Sequence, residues 1–262
     1  MPIITLTTDF GVQDHFVAAM KGVILGLAPR ATIIDVTHEV RPHEITEGAF
    51  VLDAAWRTFP AKSIHVAVID PGVGTARRPI LVEAGGHYFL GPDNGVLALV
   101  YERETQHKVR HITAEKLFRQ PVSRTFHGRD VFAPVAAHLA KGLRPAALGK
   151  LIGDYLKPQS FFPVHTGKHF WTGQVLKIDR FGNLITNYAL ERFPALREQP
   201  FELQVGTRTL SRLAATYAEA PFGEPVVMVG SSGYLEVAVN QGHAARLLGC
   251  ATGAPLELRL SS

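Results

Sequence analysis

Ile64-His65-Val66-Ala67-Val68-Ile69-Asp70-Pro71-Gly72 is a short, nearly all-apolar run that stops at an acidic turn. A run of this length bounded by turn residues is typical of a strand buried on both faces. Before it, strand-like segments at residues 3–8 and 31–36 alternate with helical spacing over residues 16–27 and 45–59. Repeated strand–helix units predict an α/β domain with a largely parallel central sheet covered on both faces.

The alternation of strand-like and helix-like segments ends at about residue 165. After it, short strand-like segments follow one another between turn residues. The predicted strands are 173–178, 184–188, 201–205, 225–229, 234–239 and 256–260. This pattern predicts a smaller β-rich domain, a barrel or a sandwich. We place the α/β domain at residues 1–165 and the β domain at residues 166–262. The expected linker is residues 157–168, which contain Pro158, Pro163 and Gly167.

Composition excludes several classes of protein. The single cysteine, Cys250, rules out an intramolecular disulfide framework and a cysteine metal cluster. The 27 basic residues are dispersed, which argues against a nucleic-acid partner even though the net charge is +4. No apolar run reaches the roughly 20 residues of a membrane span. No basic, apolar leader precedes the first strand, so we expect a cytoplasmic protein with no membrane partner.

Asp70, Arg77 and His127 are the strongest candidates for chemistry. A carboxylate, a guanidinium and an imidazole are the groups needed to hold a water molecule and take its proton. The simpler interpretations are a tight turn for Gly72-Val73-Gly74 and a structural role for His127. The two glycines lack the third glycine of a dinucleotide-binding fingerprint, which excludes that function. A metal site of His127, Asp130 and His138 is a weaker alternative, because the spacing matches no known ligand signature.

Other polar residues mark the ends of predicted strands and turns. Asp9 ends the first strand, where a carboxylate accepts hydrogen bonds from ribose hydroxyls, or caps a helix or forms an Asx turn. Asp14 has the same interpretations. Residues 179–183 and 230–234 read as hairpin turns, or as a polar rim that faces the first domain across a cleft.

Six motifs, in order along nearly the whole chain, resemble the S-adenosyl-L-methionine hydroxide adenosyltransferases, which are relatives of the fluorinases and chlorinases. The motifs are Thr8-Asp9-Phe10-Gly11, Asp70-Pro71-Gly72-Val73-Gly74-Thr75, Gly91-Pro92-Asp93-Asn94-Gly95, Phe126-His127-Gly128-Arg129-Asp130, Asp179-Arg180-Phe181-Gly182-Asn183 and Ser231-Ser232-Gly233-Tyr234-Leu235-Glu236. The resemblance implies an enzyme that hydrolyses S-adenosyl-L-methionine to adenosine and L-methionine. It also implies an N-terminal α/β domain, a C-terminal β-barrel, and a homotrimer with sites at subunit interfaces.

The same resemblance implies roles for individual residues. Asp70, Arg77 and His127 match the catalytic triad that activates water, with either Asp70 or His127 as the proton acceptor. Asp9 matches the carboxylate that binds the ribose diol, and Asn183 matches the residue that binds adenine. The remaining substrate-binding residues, most of them at positions for methionine, are Asp14, Asp179, Ser231 and Glu236. The resemblance implies no metal and no cofactor, with S-adenosyl-L-methionine as the substrate.

Two alternatives remain from the sequence. A halogenase would use halide in place of water, but fluorinase has an aromatic residue where this chain has Asp70, and an anionic Asp70 would repel halide. Fluorinase also has a serine at the position of Gly128 and an additional loop where this chain has only Gly85 and Gly86. A non-catalytic S-adenosylmethionine- or adenosine-binding protein would keep Asp9, Asp179 and Asn183 without needing the triad.

Overall fold

The computed structural model describes residues 1–158 and 161–261, and the chain divides into two compact units, Met1–Pro158 and Gln159–Ser262. This division falls inside the expected linker at 157–168. Gln159 and Ser160 of that linker, and Ser262 at the end of the expected β domain, lie outside the described residues. The boundary between residues 165 and 166 stays a prediction.

The first unit is an α/β unit. Its strands are β1 (Ile3–Thr8), β2 (Thr32–Thr37), β3 (Ile64–Val68), β4 (Pro79–Ala84), β5 (His87–Pro92) and β6 (His107–His111). Its α-helices are α1 (Phe16–Leu27), α2 (Ile45–Trp56), α3 (Ala98–Arg103) and α4 (Ala133–Ala140). The sheet order is β2-β1-β3-β5-β4-β6.

This sheet is mixed, so the expectation of a largely parallel sheet holds only in part. Strands β2, β1, β3 and β5 pair in parallel, whereas β4 pairs antiparallel with both β5 and β6. The reversal comes from Gly85 and Gly86, which join β4 to β5 with positive φ angles of 56° and 79°. A two-residue connection of this kind makes a tight hairpin, which parallel strands cannot use.

Helices cover both faces of the sheet, as the sequence predicts. On one face, Ile4 and Val66 pack in a buried core with Met20 of α1 and with side chains of α4. Successive side chains of a strand alternate between faces, so His65 points to the opposite face. There His65 stacks on Phe89, and Phe89 contacts Trp56 of α2 edge-on.

The parallel register of β1 and β3 determines where the polar strand ends lie. Thr8 of β1 pairs with Val68 of β3, the last residue of each strand. Asp9 therefore follows β1, and Ile69 and Asp70 follow β3, at the same edge of the sheet. This edge, the carboxyl end of the parallel strands, is where ligands bind in open α/β sheets.

The second unit is built mainly from antiparallel strands. They are β7 (Val164–Gly167), β8 (Phe170–Ile178), β9 (Leu184–Ala189), β10 (Phe201–Val205), β11 (Arg208–Leu210), β12 (Leu213–Ala214), β13 (Pro225–Val229), β14 (Tyr234–Val239) and β15 (Pro255–Leu260), with a short helix α5 (Ala244–Leu248). The order is β11-β10-β15-β8-β9-β14-β13-β12, with β7 beside β8. Across residues 161–261, no hydrogen-bonded pairing joins the two end strands, so the expected barrel is not confirmed.

None of the helices in residues 1–158 or 161–261 combines the length and the apolar character that crossing a membrane requires.

Candidate functional site

The loop after β3 is shaped to return Arg77 onto Asp70. The Val73 N–H donates to the Asp70 carbonyl (3.2 Å) and the Thr75 N–H donates to the Gly72 carbonyl (3.2 Å). Gly74 has φ +78°, and a Cβ at that position would overlap the carbonyl oxygen of Arg124. Only glycine fits a turn with this backbone conformation and this close approach. The glycines of the motif therefore shape the loop that carries Asp70 and Arg77.

The structure brings Asp70, Arg77 and His127 into direct contact. Arg77 Nε donates to Asp70 Oδ2 (2.9 Å), and Arg77 Nη2 donates both to Asp70 Oδ2 (2.5 Å) and to His127 Nδ1 (2.6 Å). The side chains of Asp70 and Arg77 are only 4% and 9% exposed. Arg77 is thus the centre of a buried cluster and joins Asp70 to His127, which lies 50 positions after Arg77 in the chain.

The hydrogen bond from Arg77 also determines which nitrogen of the neutral His127 ring carries the proton. A guanidinium only donates, so His127 Nδ1 must accept, and the proton of the neutral imidazole lies on Nε2. Burial, together with the charge of Arg77, lowers the pKa of His127 below its usual value, against the opposing charges of Asp70 and Asp130. Within the described residues, Arg77 Nη1 is buried and has no hydrogen-bond partner. The cluster therefore retains one buried donor for a ligand.

A π-helical turn, Gly128–Phe132, follows His127 and precedes α4. The sequence predicts a regular helix over residues 130–143, so both its start and its type differ from the expectation. Gly128 explains part of the difference, because a Cβ there would lie 3.1 Å from Met20 Sδ and 3.3 Å from the Phe10 ring. The close packing of α1 against this turn favours glycine at position 128.

The alternative metal site is not supported. In the part of the chain that the structure describes, no group of three His, Cys, Asp or Glu side chains is arranged to hold a metal ion. Asp130 instead accepts hydrogen bonds from Arg129 Nε (2.7 Å) and from the Ser123 N–H (2.9 Å).

Asp9 and Asp14 have different surroundings. Asp9 Oδ2 accepts a hydrogen bond from the backbone N–H of His43 (2.9 Å), which lies far along the chain. Asp9 therefore caps no helix, and its other oxygen is engaged by no hydrogen bond within residues 1–158 and 161–261. Asp14 is exposed just before α1, whose N-cap is His15 without a side-chain cap bond. The capping interpretation fails for both residues.

In the second unit, Asp179 and Asn183 form one hydrogen-bonded turn between β8 and β9. Asp179 Oδ1 accepts from the N–H groups of Phe181 and Asn183, both at 2.9 Å. Asp179 Oδ2 accepts from the Asn183 side-chain nitrogen, also at 2.9 Å. Because a carboxylate can accept only from the NH₂ end of the amide, Asn183 keeps its Oδ1 as an acceptor for another group.

Glu236 lies near this turn, whereas Ser231 is exposed. The carboxylate of Glu236 accepts a hydrogen bond from the Tyr217 hydroxyl (2.9 Å). Burial, and then the charge of Asp179, raises the pKa of Glu236. Ser231 lies in the turn between β13 and β14.

A cleft of about 530 Å³ opens beside these residues within the second unit. Its lining is Phe181, Asn183, Tyr217, Val239, Asn240, Gln241 and Gly242. Phe181 is 75% exposed, and Tyr217 is 44% exposed. Sequence reasoning did not single out Tyr217, because its partner Glu236 is distant along the chain and no motif marks it.

Comparison with known proteins places the chain in a family. Residues 4–149 match the SAM hydroxide adenosyltransferase N-terminal domain, and residues 173–257 match the C-terminal domain. An "(R)-S-adenosyl-L-methionine hydrolase" from Salinispora arenicola is 41% identical, over 98% of this chain and 97% of its own length. Three further relatives with that name are 35–40% identical.

A "Fluorinase" from Actinoplanes sp. is 28% identical, over 91% of each chain. The crystal structure of an uncharacterized conserved protein from Thermotoga maritima has a TM-score of 0.89 and 36% identity, over 98% of this chain and 99% of that one. Both domain families and the full-length relatives lead to one conclusion: the chain belongs to the SAM hydroxide adenosyltransferase family.

Proposed function

We propose that this protein hydrolyses S-adenosyl-L-methionine to adenosine and L-methionine by attack of water on the ribose 5′ carbon. The observation that carries the proposal is the buried contact of Asp70, Arg77 and His127, which offers groups to hold and deprotonate a water molecule. Membership of the family and relatives named as S-adenosyl-L-methionine hydrolases support the choice of substrate.

The reaction replaces one bond at the 5′ carbon with another. The water oxygen forms the new C5′–O bond, and the C5′–S bond breaks with its electron pair going to sulfur. Because the sulfonium becomes a neutral thioether, the leaving group needs no proton. The attacking water must lose one, so a base is the group that the protein has to supply.

Asp70 is the proposed base. His127 Nδ1 is occupied by Arg77, and the neutral imidazole carries its proton on Nε2, so it donates rather than accepts. Attack on the ribose carbon makes the water strongly acidic, so a carboxylate suffices as the base. Arg77 Nη1 and His127 Nε2 are proposed to hold the water oxygen.

The substrate-binding roles follow from the family resemblance and the chemistry of each group. S-adenosyl-L-methionine carries a sulfonium and an ammonium, which carboxylates stabilise. Asp9 is proposed to bind the ribose diol, and Asn183 Oδ1 to accept from the adenine amino group. The methionine part is assigned to Asp14, Asp179 and Ser231. Glu236 completes the proposed substrate-binding set.

The family resemblance extends the proposal to the assembly. We expect a homotrimer with its sites at subunit interfaces, a closed β-barrel in the second unit and a cytoplasmic location. We expect turnover without added metal or cofactor, since a neutral thioether leaves without electrophilic assistance.

Halide as the nucleophile is the second candidate. A buried carboxylate at the position of attack repels an anion, and Asp70 is only 4% exposed. The close approach of Met20 Sδ and Phe10 to Gly128 also leaves little room for the serine that fluorinase has at that position. Water therefore fits the cluster better than halide.

Product analysis tests the proposed function. We expect purified protein to convert S-adenosyl-L-methionine to adenosine and methionine in equal amounts, separated and identified by chromatography and mass spectrometry. EDTA should not change the rate of turnover. Added chloride or fluoride should yield little or no 5′-halonucleoside.

Three outcomes would contradict the proposal. A 5′-halonucleoside as the main product would favour the halogenase alternative. S-adenosylhomocysteine as product would indicate methyl transfer. Binding of S-adenosyl-L-methionine without any turnover, measured by calorimetry on the same sample, would favour a non-catalytic binding protein.

Replacing Asp9 tests the ribose site. Asp9→Ala removes a charged acceptor, and such hydrogen bonds contribute about 1.5–3 kcal/mol. We therefore expect affinity for adenosine and for S-adenosyl-L-methionine to fall roughly 10- to 150-fold by calorimetry. Unfolding curves control for the lost bond to the His43 backbone. Unchanged affinity for both ligands would remove Asp9 from the ribose site.

A further inference from the structure

Asp130 is a fully buried carboxylate for which the proposed reaction has no use. It accepts hydrogen bonds from Arg129 Nε (2.7 Å) and Nη2 (2.8 Å), from Arg119 Nη1 (3.3 Å) and from the Ser123 N–H (2.9 Å). Two arginines and a backbone N–H therefore converge on one side chain. A buried charge with this many partners resists displacement, because leaving any partner unpaired is costly.

The backbone of Asp130 adds two further links. Its N–H donates to the Phe126 carbonyl (3.1 Å), and its carbonyl accepts from the Arg119 N–H (2.9 Å). Side chain and backbone together tie the segment from Arg119 to Phe126 to the π-helical turn Gly128–Phe132. His127 lies between these two pieces, so the position of its ring depends on both.

Asp130 also acts on the charge environment of His127. The charged groups that face the imidazole are Asp70 and Arg77, from the loop after β3, and Asp130, from its own turn. Asp130 is thus linked to His127 both through the backbone and through its charge.

We infer that Asp130 is a positioning residue for His127, holding the π-helical turn so that the imidazole stays within hydrogen-bond reach of Arg77. This inference rests on the proposed function, because it assigns His127 to the reaction. Reactions that depend on aligned groups lose as much as about 100-fold in rate when one group is misplaced by an ångström. Loosening the turn should therefore lower the chemical rate more than it lowers binding.

Asp130→Asn tests this inference. Asparagine keeps the volume and can still accept from the Ser123 N–H, but it loses the charge that Arg119 and Arg129 pair with. We expect kcat to fall about 10- to 100-fold, with KM within a few-fold of the native value. We also expect the Nδ1 chemical shift of the neutral His127 ring in NMR to change, because the hydrogen bond from Arg77 Nη2 is loosened. The titration itself should move to lower pH through loss of the Asp130 charge alone.

Asp53→Asn is the matched control. Asp53 is also buried and pairs with two arginines, Arg57 (3.4 Å) and Arg103 (2.8 Å), but it lies on α2. We expect this control to lower the unfolding temperature while leaving kcat and the His127 titration unchanged. If Asp130→Asn behaves in the same way as Asp53→Asn, Asp130 has only a structural role and the inference is wrong.

A second variant and the NMR measurement keep the test decisive. If Asp130→Asn does not fold, Arg119→Gln removes one partner of Asp130 at a half-exposed side chain. Loss of this cation should move the His127 titration slightly to higher pH, and the loosened turn should change the Nδ1 chemical shift of the neutral ring. An unmoved Nδ1 shift in that variant would overturn the inference. Absence of turnover in the native protein would contradict the proposed function alone, because the Nδ1 shift of His127 reports on positioning without turnover.

Discussion

Asp70→Asn should lower the turnover of S-adenosyl-L-methionine by ~10²–10⁴-fold, the usual contribution of a positioned base. Asparagine keeps the shape of the side chain but cannot take a proton from water. Because Asp70 is proposed to contact the water rather than the nucleoside, the Kd for S-adenosyl-L-methionine should stay within a few-fold. Single-turnover kinetics and calorimetry on the same preparation measure the two quantities separately.

Asp93→Asn is the matched control for this variant. Asp93 also follows a parallel strand, β5, and its carboxylate accepts from Arg78 Nε (3.0 Å) and Nη2 (2.7 Å). The Asp93→Asn variant loses the same charge beside an arginine, but Asp93 has no proposed part in the reaction. Its turnover should therefore stay within a few-fold of the native value. Near-normal turnover in Asp70→Asn would mean that Asp70 is not the base, and the role would pass to His127.

Arg77→Ala should produce the largest loss of stability among the variants considered. The pair of Asp70 and Arg77 is buried, and removing one partner of a buried pair costs about 3–5 kcal/mol because the remaining charge is left unpaired. The variant should also lose turnover, since His127 Nδ1 loses its donor. Denaturant unfolding monitored by circular dichroism gives the free energy, and the product assay gives the rate.

Arg259→Ala provides the contrast of an exposed pair. Arg259 and Glu202 are both about half exposed, so their ion pair should contribute less than about 1 kcal/mol. Turnover should be unaffected. If Arg77→Ala lowers the free energy of unfolding no more than Arg259→Ala does, the buried pair of Asp70 and Arg77 does not stabilise the fold, and this prediction is wrong.

Where hydrophobic periodicity is strong, the sequence predicts the elements well. The predicted strands 3–8, 201–205, 225–229 and 234–239 have the bounds of β1, β10, β13 and β14. In contrast, β6 (His107–His111) was not predicted, since Val109 is its one apolar residue and its position is set by pairing with β4. The hydrophobic pattern of a segment cannot predict a strand that forms only because it pairs with a neighbouring strand.

The sequence predicts short strands at 79–84 and 87–90 on either side of Gly85-Gly86, but it shows nothing of the π-helical turn. A hairpin through Gly85 and Gly86 reverses β4 against the parallel strands, although strand–helix alternation alone favours a parallel sheet. Glycine at position 128 is favoured by close packing against Met20 and Phe10, which come from a distant part of the chain.

The sequence indicated which residues to consider for the site, but it did not indicate how they contact one another. The sequence supplied Asp70, Arg77 and His127 as a set, but only the structure shows Arg77 bonded to both of the others. The contact of Arg77 Nη2 with His127 Nδ1 is the observation behind our proposal that Asp70, rather than His127, is the base. Tyr217 was missed, since its link to Glu236 exists only in the folded second unit.

Turnover in ¹⁸O-labelled water is the most direct test of the account, because its central claim is that water attacks the ribose 5′ carbon. Mass spectrometry should find one ¹⁸O atom in the 5′ hydroxyl of adenosine and none in methionine. Adenosine without label would contradict the claim, as would label in an amino-acid product formed by cleavage of a different carbon–sulfur bond.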